Sequence, residues 1–292
     1  MSKHKRVTSP QPLLFPLPER TEELAEIRFE QAEHPVWTES KATLVEQYLH
    51  LFVLLTKHGT YIDGFAGPQR PDNPEMWSAK LVLENEPQWI RNIFLFDKSK
   101  NQIRRLCGLR RAQRPVQGRV IRIFRGDFNS RVHQLLARNR ISRKEAMFCL
   151  LDQRTFQCDW NTLVELAKYK GPGQTKIELF YFLAVRWLKR ALKGVQNEAI
   201  LCKWWGHNDC EMLRELKPRQ IKDKLVERFK SELGYKSVQA WPIFKQHATG
   251  QTIYYMIHAT DHADGPKLMA RAYNAAVISR GKQTLFPWMH PQ

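Results

Sequence analysis

Tyr61-Ile62-Asp63-Gly64-Phe65-Ala66-Gly67-Pro68-Gln69 decides the reading of this chain. An apolar run stops at Asp63, and Gly64 and Gly67 follow at once. A strand covered on both faces of a parallel sheet reads as an unbroken apolar run. Where such a strand ends in a glycine-rich turn, the backbone can approach a ligand closely because no Cβ stands in the way. Three more expected strands end similarly: Ile93–Phe96 at Asp97, Val120–Phe124 at Gly126-Asp127-Phe128, and Met147–Leu151 at Asp152. A fifth strand is expected over Ile177–Phe182, after the Gly171-Pro172-Gly173 turn.

Helical patterns separate these runs. Leu44, Val45, Tyr48, Leu49, Phe52, Val53 and Leu55 recur at helical spacing between Ser40 and Thr56. Helices are also expected from Ser78 to Leu83, Lys98 to Arg111, over 129–138, and from Trp160 to Tyr169. Strands alternating with helices imply crossovers and a parallel sheet, with ligands outside the carboxyl ends of the strands. The fold expected is α/β: a Rossmann-like sheet of the class I methyltransferase type with helices on both faces. From Leu183 the pattern turns helical (183–194, 209–230), so a helical elaboration is expected at about 183–240. A last strand, Ile253–His258, precedes a helix from Pro266 to Ala276. Residues 1–20 read as a mobile basic arm, 22–31 as a short charged helix, and 21–292 as one domain.

The bulk numbers fit a globular protein with a polyanionic partner. Across 292 residues, 47 Lys+Arg stand against 29 Asp+Glu, a formal charge of +18. Such an excess favours nucleic acid or a nucleotide-bearing substrate. Arg104, Arg105, Arg110, Arg111, Arg114, Arg119, Arg122 and Arg125 crowd one stretch. With Trp77 and Trp89 they suggest either a phosphate-tracking surface or a solvated face. No apolar run approaches the roughly 18 residues of a membrane span, so no membrane partner is expected. Five scattered cysteines (Cys107, Cys149, Cys158, Cys202, Cys210) make no disulfide framework, and a reducing cytoplasm is expected.

The strand-end acids carry the chemistry. S-adenosylmethionine needs a glycine turn beneath its amino-acid end, a carboxylate to accept from its ribose hydroxyls, and a polar group beside its adenine. Asp63 with Gly64, Phe65 and Gly67 supplies the turn, Asp97 the ribose acceptor, and Asp127 with Phe128 the adenine contacts. The alternative is that these acids cap the helices that follow. No G-x-G-x-x-G opens the first turn, which disfavours a dinucleotide site, and no G-x-x-x-x-G-K-[ST] occurs, which excludes a P-loop. Asp152 falls where amino-methyltransferases of this architecture place an acid, and Phe156 could stack on a base swung out of its helix. A nuclease using Asp97, Asp127 and Asp152 around Mg²⁺ is a further alternative. Cys202, His207 and Cys210 invite a zinc reading but offer three ligands at no standard spacing, so no metal is expected. His258 and His262 read as strand-end residues or as the mouth of the site.

Trp37 to Leu49, followed by Tyr-Ile-Asp-Gly-Phe-Ala-Gly-Pro, resembles the three-Cys-motif partner (TcmP) family. Later stretches resemble it in the same order: Leu151-Asp152 with Trp160, Leu179–Leu183, Trp205-Gly206, and Tyr254-Tyr255-Met256-Ile257-His258-Ala259-Thr260-Asp261-His262 with Gly265 and Met269. The resemblance implies a methyltransferase-type fold in a bacterial or phage setting, beside a separate radical-SAM-like protein bearing three cysteines. Gln153-Arg154-Thr155 departs from the family's Pro-Phe-Gly, and Gln69 stands where many relatives have Gly. A catalytically degenerate nucleic-acid or partner-binding module is therefore the alternative to an S-adenosylmethionine-dependent methyltransferase.

Overall fold

The computed structural model describes residues 41–69, 74–138, 141–244 and 252–285. The expected arm at 1–20 and helix at 22–31 lie outside the described residues. Seven strands form one sheet: β1 (Gly59–Asp63), β2 (Ile90–Asp97), β3 (Val120–Arg125), β4 (Met147–Leu151), β5 (Glu178–Leu183), β6 (Ser237–Phe244) and β7 (Thr252–Thr260). Their order is β3-β2-β1-β4-β5-β7-β6. The first five run parallel, while β7 is antiparallel to β5 and β6 to β7. β1 and β4 are wholly buried, which is why each reads as a continuous apolar run.

Helices α1 (Lys41–Thr56), α2 (Ser78–Glu84), α3 (Lys100–Ala112) and α9 (Gly265–Leu285) contribute to the core on one face. Helices α4 (Phe128–Ala137), α5 (Trp160–Lys168), α6 (Val185–Gly194), α7 (Glu198–Trp205) and α8 (Pro218–Ser231) contribute to the other. Three of these, α6 to α8, lie between β5 and β6.

The elements depart from the sequence expectation at three places. The helical elaboration was expected to run to about 240, with no strand before Ile253, so β6 is an addition. It is an edge strand, pairing only with β7, which is where Pro242 and its missing N–H are tolerated. The helix expected over 209–230 is broken: a 3₁₀ turn at Cys210–Arg214 precedes α8, which starts at Pro218 with the Lys217 N–H bonded to Gln220 Oε1. Finally, Cys202 and Cys210 form a disulfide, whereas a set of reduced cysteines was expected; Cys107, Cys149 and Cys158 are free.

The Trp205-Gly206 pair has a packing explanation. Gly206 ends α7 with φ 85°, and a Cβ there would stand 2.4 Å from the Trp160 ring. The Arg228 guanidinium lies 3.8 Å from the Trp160 ring centroid and 4.2 Å from that of Trp205, and pairs with Glu232. Trp160 is therefore a core residue beneath a clamped arginine.

Candidate active site

The strand order reverses between β1 and β4, and a crevice at the carboxyl ends of strands is expected at such a switch point. Two cavities open there. The larger, about 410 Å³, is lined by Gly64 and Gly67 of the first turn and by Asp97, Asp127, Phe128 and Asp152. The smaller, about 270 Å³, is lined by Lys41, Asp63, Trp77, Asp152, Trp187 and Tyr254. Phe65, Gly67, Gln69 and Asp152 border both.

The turn between β1 and α2 is held from three sides. The Gly64 N–H donates to Leu150 O (3.0 Å) and the Ala66 N–H to Phe96 O (2.9 Å). Trp77 Nε1 donates to Ala66 O (2.6 Å). The Gly67 N–H donates to Asp97 Oδ2 (3.1 Å), and Asp97 Oδ1 accepts from the Ser99 N–H (2.7 Å). Asp97 borders the larger cavity with acceptor capacity to spare, since a carboxylate offers about four acceptor positions. Asp127 accepts from the Ser130 N–H (3.3 Å) and so caps α4 while also lining that cavity. Asp127 thus caps α4 and lines the cavity at once.

Asp63 sits under the turn. It is 2% exposed, accepts from the Phe65 N–H and the Tyr61 hydroxyl (both 3.0 Å), and borders the smaller cavity only. It braces the loop from beneath. Burial pushes its carboxyl up to about 7, against the two hydrogen bonds, and the charges of Asp152 and Asp97 add to the rise. A raised folded-state pKa means that the stability contribution is full below about pH 4 and is lost as pH rises through about 7. Asp63→Asn keeps the bond from the Phe65 N–H through Oδ1, reverses the other so that Nδ2 donates to the Tyr61 hydroxyl, and removes the ionisation. We expect its denaturant-measured stability to exceed that of the wild type by at least about 1.4 kcal/mol at pH 8, with the gap closing by pH 4. Parallel pH profiles for the two proteins would refute the assignment.

Asp152 is not a lone acid. Lys41 Nζ contacts its two oxygens at 2.8 and 2.9 Å, and Gln69 Nε2 donates to Oδ2 at 3.0 Å. The same ammonium lies 4.3 Å from the Tyr254 ring centroid and 5.0 Å from that of Phe182. Gln153 organises the turn after β4: its buried Oε1 accepts from the N–H groups of Gln157 (3.1 Å) and Cys158 (3.0 Å).

Several expectations are corrected. Phe156 borders neither cavity; it is buried edge-on against Trp204, centroids 5.0 Å apart, and cannot stack on a base. His258 and His262 are not at the mouth, because antiparallel β7 delivers its end to the opposite rim. His258 is buried and bonded to Glu178 (2.8 Å) and Tyr48 (3.2 Å). Burial would raise the Glu178 carboxyl, but the hydrogen bond and charge of His258 outweigh it, with the Tyr48 hydroxyl adding to them, and the net shift is downward. Asp97, Asp127 and Asp152 line the larger cavity together without forming a close group of metal-type ligands; among the described residues the only such group is Glu198, Cys202 and Cys210. The two cysteines of that group are joined to each other, and His207 pairs with Glu232 instead.

The sheet order, the antiparallel β7 and a glycine-floored cavity at the switch point define a Rossmann-like fold of the class I methyltransferase type. No family model matches the chain, and no curated protein matches it in sequence. Among solved structures, the methyltransferase domain of bacterial CtHen1-CN is similar at 17% identity and a TM-score of 0.42, over 74% of this chain and 99% of that one. No helix among the described residues is long and apolar enough to cross a membrane.

Proposed function

We propose that this protein is an S-adenosylmethionine-dependent methyltransferase acting on nucleic acid or a nucleotide-bearing substrate. One observation carries the reading: a cavity floored by Gly64 and Gly67 and ringed by Asp97, Asp127 and Asp152 meets a second, aromatic-lined cavity at Asp152. The larger cavity would hold the cofactor, whose sulfonium supplies an electrophilic methyl group. Its volume falls within the range of small-molecule sites. A Cβ at Gly64 would press on Phe128 and Leu151 at 3.1 to 3.2 Å, so the glycine keeps the floor open. Asp97 would accept from ribose hydroxyls, and Phe128 and Asp127 would bound the adenine. Trp77, Trp187 and Tyr254 would flank a planar acceptor, with Lys41, Asp152 and Gln69 presenting polar atoms to its edge. Catalysis on this reading is chiefly orientation of the acceptor.

The order of the motifs that resemble TcmP proteins supports kinship with that family and a separate three-cysteine companion. A second reading, a binding module that has lost catalysis, is favoured by one feature: Lys41 and Gln69 already engage Asp152.

Calorimetry with S-adenosylmethionine separates the two. Binding heat is expected for the wild type. Asp63→Ala should weaken affinity about tenfold with the fold retained, since it removes a brace worth one to two hydrogen bonds. A wild-type chain with no heat, or an Asp63→Ala chain with undiminished affinity, contradicts the cofactor placement.

A further inference from the structure

From the exposed face of α6 we infer a track for single-stranded nucleic acid that leads into the smaller cavity. The inference rests on the acceptor role proposed for that cavity. Val185, Leu188 and Leu192 bury one side of α6. The opposite side carries Arg186, Lys189, Arg190 and Lys193, all exposed, at positions that share one helical face. No Asp or Glu occurs between Glu178 and Glu198, and none of these four cations forms an ion pair among the described residues. From first to last they span about 10 Å along the axis.

Charge alone would suit any polyanion; Trp187 makes the surface selective. It is 38% exposed, lines the smaller cavity, and packs 5.5 Å from the Tyr254 ring. The Arg186 guanidinium lies 5.8 Å from its centroid. An exposed aromatic set among unpaired cations is the arrangement that tracks a single strand, with bases stacking and phosphates on the cations. A duplex cannot present a base face to Trp187, because its bases are stacked on each other. A bilayer is a poor fit, since the apolar side of α6 is already buried in the core.

The rival surface is α3, where Arg104, Arg105, Arg110 and Arg111 are also exposed. Those arginines border neither cavity, and the exposed tryptophan nearest them in sequence, Trp89, packs on Lys57 away from both.

The test is fluorescence anisotropy of the full chain with labelled dT20, rU20 and a 20-base-pair duplex, across a salt series. Four phosphate contacts contribute about −2.8 to the log–log salt slope for a single strand. Replacing Arg186, Lys189, Arg190 and Lys193 together by Gln should remove about that much slope and weaken binding at least about 30-fold. Trp187→Ala should weaken the single strands about tenfold and leave the slope unchanged. Gln at Arg104, Arg105, Arg110 and Arg111 should cost markedly less. An unchanged slope in the α6 variant, a larger loss in the α3 variant, or equal displacement by polyglutamate with no effect of Trp187→Ala overturns the inference. Calorimetry with S-adenosylmethionine on the same variants keeps the two readings apart. Cofactor heat with no α6 effect refutes the track alone, and an α6 effect without cofactor heat refutes the transferase alone.

Discussion

Gly67→Ala should lower affinity for S-adenosylmethionine by about 100-fold or more and destabilise the fold by about 2 kcal/mol. A Cβ at this position would lie 2.4 Å from Asp97 Oδ2 and 2.7 Å from Cβ and Cγ of Gln102. Neither neighbour can yield easily. Asp97 is tied to the Gly67 and Ser99 N–H groups, and Gln102 Nε2 is tied to Pro68 O at 2.9 Å. The turn cannot lift away without breaking its bonds to Leu150, Phe96 and Trp77. Relief therefore comes from displacing Asp97, the carboxylate that would meet the ribose. Gly108→Ala is the matched control. It lies inside α3 with nothing within 4 Å of the added methyl, so it should raise stability by about 0.5–1 kcal/mol and leave affinity unchanged. Calorimetry and urea unfolding read both quantities. Affinity within threefold of wild type in Gly67→Ala would show that this close approach does not shape the cofactor site.

The same local chemistry explains how much of the molecule was legible in the sequence. The parallel strands β1, β4 and β5 announce themselves because burial on both faces favours near-continuous apolar runs, β2 does so over its buried Ile93–Phe96, and the partly buried edge strand β3 is legible from its apolar residues around Arg122; Asp follows each of the first four directly or within a short turn. β6 gives no such signal: it alternates, contains Pro242 and lies at the sheet edge. The turn was legible down to Gly67, since only close approach requires a glycine there. Pairings across long separations were not. Lys41 and Asp152 are 111 positions apart, and Tyr48 meets His258 across 210. No pattern along a chain encodes such a contact, and Lys41 offered only its place at the start of an apolar helix. Phe156 and Trp160 illustrate the converse failure. An aromatic after a strand reads equally as a platform or as core, and only the covering helices α7 and α8 decide for core.

The Lys41–Asp152 pair is the feature on which the acceptor side turns. Their side chains are 8% and 16% exposed, so water screens the pair only in part. Removing either partner leaves the other charge poorly compensated: the ammonium over Tyr254 and Phe182, or the carboxylate with Gln69 alone. Lys41→Met and Asp152→Asn should each destabilise by about 2 kcal/mol, and the double variant by less than their sum, with a coupling of about 1–3 kcal/mol. The pairing also fixes what Asp152 can do. Lys41 and Gln69 already occupy acceptor positions on both of its oxygens, so its role would be to orient an acceptor edge through the lone pairs that remain. On the transferase reading both single variants should lose methyl transfer to bulk nucleic acid by about 100-fold, while cofactor heat persists in Lys41→Met, because Lys41 borders only the smaller cavity. Transfer undiminished in Asp152→Asn would remove Asp152 from the acceptor site. Additive destabilisation in the double variant would show that the two charges meet without interacting.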